Sequence, residues 1–552
     1  MLNGFLNYQT ERIGAAAGIL AISTLISRLL ALLRDRVLAG QFGAGEELDI
    51  YFAAFRIPDF IYGLLVIGGI STVFLPLFAE YFQKNKQEGW KFANNILNCF
   101  LILFIFICGV LIIFTPLLVE FIAPGFNQEQ KSSLIDLTRI MFLSPIFFGL
   151  SSIFSGIARY FNRFLFYSIA PILYNLSIIF GVLFLVPDFG LQGLAYGVIL
   201  GAFLHWIIQI PSAKASGFKY LPVCNFKSSD MSRAFKTMLP RIISTTTSHL
   251  NLMVVTAIAS TLAIGSIAVF HFANNLKYLP VGIIGASFAI ASFPTLSRTW
   301  ANGEKDKFLK KFSSIFQQIL FLIIPASFLM FLLRAQIVRV VLGTGEFGWW
   351  ETRLTAASLG IFSVAIFALA FIPFLLKAFF SFQDTKTPLK ITLYSVSLNI
   401  ILSFLFVWLL GFSNIFQKFI VSFLDLDKIQ DIRVIGLVFA LSISAIFHFF
   451  LLLFFLKKQI PQINFLEIWQ SLKKIILASI LMSLFAYLTL HIIGSFVDMT
   501  TTIGVFVQMT LAALVAVFSY ILIAYYFLRL PEIKIIKNSI FKKPKKINEK
   551  HS

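Results

Sequence analysis

The chain has 552 residues, of which 58% are hydrophobic and 13% charged, with a formal net charge of +20. A soluble domain carries about a quarter of its residues as charges, so half that supply excludes a large water-soluble fold. The composition predicts an all-α polytopic membrane protein.

Runs of about 20 apolar residues cross a bilayer core of about 30 Å as helix, and about fourteen such runs can be traced here. In chain order they centre near Ala31, Leu65, Phe106, Phe142, Ile179, Val198, Val255, Ile283, Phe321, Ala365, Leu402, Phe447, Leu481 and Leu514. The N-terminus lacks the basic, apolar and small-residue succession of a cleaved signal, so the first span is expected to direct its own insertion.

The first span reads "TLISRLLALLRDRVLAGQFGAG" from Thr24 to Gly45, and Arg28, Arg34, Asp35 and Arg36 interrupt it. The second carries Asp49, Arg56 and Asp59. A charge at the middle of a span costs about 2.5–3.5 kcal/mol on insertion scales, so it pairs or faces water. Two readings stay open: ion pairing that locks the first two spans together, or a wet cationic cleft awaiting an anionic ligand. Arginine suits a diphosphate, because its planar fork donates two parallel hydrogen bonds.

Later polar positions follow. Arg241 stands at the entry to span 7, with His249 and Asn251 deeper in. Asn274, Asn275 and Lys277 lie in span 8, where Lys277 either adds a cation to the cleft or snorkels. Asn399 and Ser403, one turn apart in span 11, either hold an ion or bond between helices. Cys99, Cys108 and Cys224 show neither a disulfide spacing nor a metal-ligand pattern, and no Walker-type phosphate loop is present.

Alternate connections are basic, from Lys84, Lys86 and Lys91 through Lys305, Lys307, Lys310 and Lys311 to Lys457 and Lys458. The others are sparse or acidic, as at Glu46, Glu47, Asp188, Asp425 and Asp427. The positive-inside rule makes the basic set cytoplasmic, and an even span count puts both termini there. The tail "KIIKNSIFKKPKKINEK", Lys534 to Lys550, then meets anionic lipid heads and not nucleic acid.

An internal echo lays Leu48–Tyr81 over Ile267–Trp300, with Gly63 on Gly282. These are spans 2 and 8, six apart, as in transporters built from parallel six-helix repeats.

The stretch "SRLLALLRDRVLAGQFGAGEELDIYFAAFRIPDFIYGLLVIGGISTVFLPLFAEY", with "RFLFYSIAPILYNLSIIFG", "MLPRIISTTTSHLNL", "LPVGIIGASFAIASFPTLSR" and "SFQDTKTPLKI", resembles the MurJ/MviN family of bacterial lipid II flippases. The resemblance covers roughly residues 10–530. It implies a fold of the multidrug/oligosaccharidyl-lipid/polysaccharide exporter superfamily, divided into an N-terminal lobe (1–220), a C-terminal lobe (221–460), two additional spans (461–530) and a basic cytoplasmic tail (531–552). It implies transport of a polyprenyl-diphosphate-linked saccharide to the outer leaflet of the bacterial plasma membrane by alternating access. Membrane lipids are the other expected partners, the protein is expected to be a monomer, and no cofactor or catalytic residue is expected.

Substrate-binding residues expected from the charges and the resemblance together are Arg28, Arg34, Arg56, Asp35, Asp49, Lys277 and Arg241. Asn399 and Ser403 are weak candidates for an ion, and the coupling ion stays open. The sequence departs from familiar members at Tyr62, Ile67, Asn274 and Asn275, where they carry charges, and at Val255 and Ser403, where some carry sodium-binding aspartates. The rival readings are an exporter of drugs or of another polyprenyl-linked glycan, and a membrane glycosyltransferase. The short outer connections, the longest about Asn414 to Asp431, speak against the last.

Overall fold

The computed structural model describes residues 13–530, Glu532 and Ile533; side chains at 13–18, 68–69, 71–72 and 239–246 lie outside that description. Its elements are all helical, with no strand among the described residues. Helix α1 runs over Ile13–Phe42, α2 over Glu46–Ala54 and α3 over Arg56–Ile61; a π-helical segment, Tyr62–Ile70, leads into α4, Ser71–Lys84. There follow α5 (Lys86–Ile122), α6 (Gln128–Met141), α7 (Leu143–Tyr160), α8 (Phe164–Phe180), a π turn at Gly181–Leu185, α9 (Val186–Phe189), α10 (Gln192–Ile207) and α11 (Ile210–Ala215). Next come α12 (Ser229–Ser260) and α13 (Ser266–Pro280), then a π segment at Val281–Ala286, α14 (Ser287–Ala301), α15 (Lys305–Leu332) and α16 (Arg334–Val341). The last are α17 (Trp349–Ser381), α18 (Lys386–Leu409), α19 (Ile415–Leu424), α20 (Val434–Gln459), α21 (Phe465–Gly494) and α22 (Thr502–Leu522), closed by a π turn at Ile523–Phe527.

Twelve helical stretches are long and apolar enough to cross a membrane, among the described residues. Helices α1 and α12, of 30 and 32 residues, are not among the twelve; the expected fourteen is reached only by counting both.

Side-chain oxygens of asparagine and threonine start several of these helices. Asn127 and Gln130 form a reciprocal capping box on α6, while Asn414, Asn464 and Thr501 cap α19, α21 and α22. Each satisfies amide groups that a helix start leaves without partners.

The chain forms two compact units, each discontinuous in sequence. The first comprises Met1–Phe272, Val341–Leu354 and Val396–Leu437. Its core gathers Phe74, Phe78, Phe92, Phe100, Phe104 and Phe154, with Phe74 stacked on Phe78 at 5.4 Å between ring centroids. Helices α8 and α10 meet closely because Gly181 faces Gly197: a Cβ on Gly181 would lie 2.7 Å from the Gly197 Cα. Small residues at such a crossing let backbones approach where lipid supplies no hydrophobic drive.

The second unit comprises Ala273–Val340, Thr355–Ser395 and Val438–Ser552. Phe312, Phe316, Phe371 and Phe374 form its aromatic centre, the Phe316 and Phe371 rings 4.2 Å apart. Helices α21 and α22 pack together and on α15, and the Tyr520 hydroxyl donates to the Phe321 carbonyl at 2.8 Å.

The two helices of the internal echo share an irregularity. The π segments Tyr62–Ile70 and Val281–Ala286 each begin one residue before the aligned glycines, Gly63 and Gly282. A π segment inserts a wider turn and re-aims every side chain after it, and its recurrence at one register supports the repeat.

Candidate functional site

The cationic stretch of α1 is built against α8. Ser23, Ser27 and Arg34 recur at four- and seven-residue intervals, hence on one helical face. They form a polar seam: Ser23 Oγ donates to Ser168 Oγ at 3.2 Å, Asn175 Nδ2 to Ser27 Oγ at 3.5 Å, and Arg34 Nη1 to Asn175 Oδ1 at 3.2 Å. Arg34 also clamps Asp35, its Nη2 2.7 Å and its Nε 3.1 Å from Oδ1. Adjacent residues on a helix do not face one another; the long arginine arm curls back to reach the buried carboxylate.

Arg28 is one residue beyond Ser27 and so turned about 100° out of the seam. It is exposed, and no ion pair to it occurs among the described residues. Arg34 is therefore largely neutralised within its own helix, whereas Arg28 keeps its donors open.

Helices α2 and α3 treat their charges differently. Arg56 is 8% exposed, and its Nε donates to Thr256 Oγ1 of α12 at 2.7 Å. Among the described contacts, neither Arg34 nor Arg56 pairs with an aspartate of the other span, the contact that the reading of a lock between them calls for. Asp49, expected to face substrate, is buried, and its oxygens accept the backbone N–H groups of Gly265 at 2.7 Å and Ala268 at 2.8 Å. It caps the start of α13. A carboxylate is well suited there, because the first amides of a helix lack partners and carry its positive dipole end. Gly265 is required beside it: φ is +88°, and a Cβ would fall 2.0 Å from the Ala44 carbonyl oxygen. Gly345, with φ +54°, similarly leaves no room for a Cβ against the Gly40 carbonyl, which accepts the Glu346 N–H at 3.0 Å. These contacts tie the ends of α1, α2 and α13 and residues 344–346 together within the first unit.

His249 of α12 is half-buried against the π segment, and a Cβ on Gly63 would meet its Nε2 at 2.1 Å. The ring fits because residue 63 has no side chain. The side chain of Arg241 lies outside the described residues.

Lys277 belongs to the second unit, and neither expectation for it holds. It is 0% exposed, so it neither snorkels nor opens to water. Its Nζ has no hydrogen-bond partner and stands 3.6 Å from the centroid of the Phe362 ring. Asn399 and Ser403 make helix contacts: Asn399 Nδ2 donates to Asn251 Oδ1 at 2.7 Å, and Ser403 Oγ back-bonds to the Asn399 carbonyl at 2.8 Å. Among the described residues no cluster of three or more His, Cys, Asp or Glu offers a metal site. Sequence reasoning missed Asn175 and Thr256. Each is a modest polar residue in an apolar run, and only its partner across the helix interface gives it meaning.

A family model described as lipid II flippase MurJ matches residues 38–507. A Buchnera aphidicola protein named probable lipid II flippase MurJ is 31% identical over 386 residues, 69% of this chain and 75% of the relative. The chain belongs to the MurJ family. The family's Burkholderia cenocepacia lipid II flippase MurJ is 24% identical over 401 residues, 71% of this chain and 78% of that one. A solved structure of lipid II flippase MurJ in an inward closed conformation has TM-score 0.74 at 24% identity, covering 92% of this chain and 99% of its own. An inward-facing multidrug transporter of the MATE family has TM-score 0.61 at 15% identity, covering 81% and 100%. These two likenesses show the shared fold of a multi-pass membrane protein. The MurJ family match starts at Leu38, so Asp49 and Arg56 fall inside it and Arg28, Arg34 and Asp35 before it.

Proposed function

We propose that this protein is a lipid II flippase, a transporter and not an enzyme, that carries the polyprenyl-diphosphate-linked peptidoglycan precursor from the inner to the outer leaflet of the bacterial plasma membrane. The match to the MurJ family over residues 38–507 carries this reading. In it the chain crosses the membrane fourteen times with both termini in the cytoplasm, and the lobes divide near residues 220 and 460. Alternating access exposes one binding site to each side in turn.

Arg28 is the first contact for the diphosphate. Its guanidinium is exposed on a helix otherwise read as lipid-spanning, and it is not committed to a carboxylate. Arg34, held by Asn175 and Asp35, contributes once phosphate oxygens compete for its amino groups. Arg56 adds positive potential. A cytoplasm-negative potential favours outward movement of the anion by about 2.3 kcal/mol per charge per 100 mV, which assists the cycle without nucleotide.

Two experiments test this. Expression of the chain should rescue a bacterium depleted of its own lipid II flippase, while Arg28→Ala, at equal membrane level, should not. In vesicles, outer-leaflet appearance of labelled lipid II should fall by about 30-fold or more for Arg28→Ala, the equivalent of losing about 2 kcal/mol from a charge-assisted contact. Transport of lipid II at the wild-type rate by Arg28→Ala would remove Arg28 from the site. Absence of transport by the wild-type chain would turn the reading toward another cargo, since fold alone does not choose one.

A further inference from the structure

Cys99 and Cys224, 125 positions apart in sequence, are brought together by the structure: their sulfurs stand 3.2 Å apart. Helix α5 is 37 residues long, whereas about 20 suffice to cross a bilayer, so one end of it projects beyond the apolar core. Its N-terminal third carries three buried asparagines, Asn94, Asn95 and Asn98, and these bind an extended strap, residues 218–228, that leads into α12. Asn94 donates to the Lys219 carbonyl and accepts from the Leu221 N–H. Asn98 Nδ2 donates to the carbonyls of Leu221 and Val223, both at 2.9 Å. Asn95 Oδ1 accepts the Asn225 N–H at 2.6 Å.

Residues 223 and 225 are thus both pinned to α5, and Cys224 is held between them. Cys99 is 1% exposed, whereas Cys224 is open to solvent. One sulfur is accessible to a reagent, the other is sheltered beside it, and the backbone on both sides is fixed. Such an arrangement makes the second step of thiol–disulfide exchange intramolecular between pre-positioned groups.

We propose that Cys99 and Cys224 are a reversible oxidation site, acted on by low-molecular-weight disulfides, that staples the strap to α5. The Cys224 thiolate attacks one sulfur of the small disulfide and expels a thiolate, leaving a mixed disulfide on Cys224. Cys99 sulfur then attacks the Cys224 sulfur, and the second small thiolate departs, taking up the Cys99 proton. Two protein thiols lose two electrons and two protons, and the reagent gains them as two thiols. In a reducing compartment the pair rests as dithiol. A disulfide stress closes it, and excess thiol reopens it.

The test uses the full chain in native membranes treated with oxidised glutathione and then mass spectrometry of peptides. Linkage of the Cys99 peptide to the Cys224 peptide is expected within one molecule, reversed by dithiothreitol and unaffected by Cys108→Ser. Cys224→Ser, at an exposed position that leaves the helix packing intact, should abolish it. Asn98→Ala, which removes both hydrogen bonds to the strap, at residues 221 and 223, should slow it by about tenfold, the equivalent of about 1.4 kcal/mol. A glutathione adduct that persists on Cys224 without linkage, cross-linking between molecules through Cys224, or no reaction at either sulfur would overturn the proposal.

Discussion

Three buried charges of the first unit and one of the second are held in contrasting ways. In the first, Arg34 has Asp35 and Asn175, Arg56 has Thr256, and Asp49 has two backbone amides. In the second, Lys277 is as deeply buried as any described residue, and its nitrogen has no hydrogen-bond partner among them, only the ring faces of Phe362 and Tyr278. A buried polar group costs about 1–3 kcal/mol when nothing bonds to it, and a ring face returns only part of that. The comparison teaches that sequence position alone does not say which membrane charges are structural. Asp49 is a fastener, Lys277 a cost, and Arg28 an open donor, though all three look alike as interruptions of apolar runs.

The sharpest way to break the comparison is to remove the fastener. Asp49→Ala strands the Gly265 and Ala268 amides, and thermal unfolding in detergent should show a loss of about 2–3 kcal/mol. Asp49→Asn, which keeps one acceptor, should recover about half. Unchanged stability in both would mean that the cap carries nothing.

Close packing gives the next effect. Gly285→Ala drives a Cβ to 2.5 Å from the Ala370 carbonyl oxygen and 2.6 Å from its Cα, which are backbone atoms that cannot turn aside. Gly63→Ala meets first the His249 ring, a side chain. Overpacking costs about 1–3 kcal/mol, and Gly285→Ala should sit at the upper end with Gly63→Ala below it. Removing the ring as well, in Gly63→Ala with His249→Ala, should abolish the Gly63 penalty. Equal losses in the two single variants would refute the distinction between a movable side chain and a fixed backbone.

Lys277→Met should run the other way and raise the midpoint of unfolding by the equivalent of about 1 kcal/mol, because an apolar side chain of similar length removes the unbonded nitrogen. A lowered midpoint would show that the ammonium earns its place.

The smallest effect lies outside the spans. Hydrogen bonds from Arg233 and Lys84 hold the Glu80 carboxyl down at about 2, below its ordinary 4.5. A lowered carboxyl pKa contributes stability that is present above about pH 4.5 and lost as pH falls through about 2. Glu80 faces water, so the contribution is small and screened by salt. Acid titration of unfolding should show Arg233→Ala shifting this loss to higher pH in low salt and making no difference in high salt.

Much of the fold was legible because lipid imposes simple demands. A backbone without water must bond to itself, so long apolar runs became helices. The paired register of the echo was legible too, since Gly63 and Gly282 mark two π segments. The candidate site was only partly legible. Arg28 and Arg34 stood out as charges in an apolar run, with Arg28 the stronger candidate, but the bond that commits Arg34 was not readable: it rests on Asn175, more than a hundred residues away. Asp49 could not be recognised as a cap when the helix it starts lies 216 residues later. Lys277 could not be recognised as sealed, because burial comes from neighbours and not from the residue.

The sequence by itself determined the solvent, the helical class, the positions of nearly all spans and the family. These depend on local hydrophobicity, on charge counts and on short motifs, and each can be read from residues adjacent in the chain. Tertiary structure alone decided which charges are satisfied, which glycines are obligatory and which cysteines meet. Those outcomes follow from distances of about 3 Å between segments remote in sequence, and only folding brings such segments together.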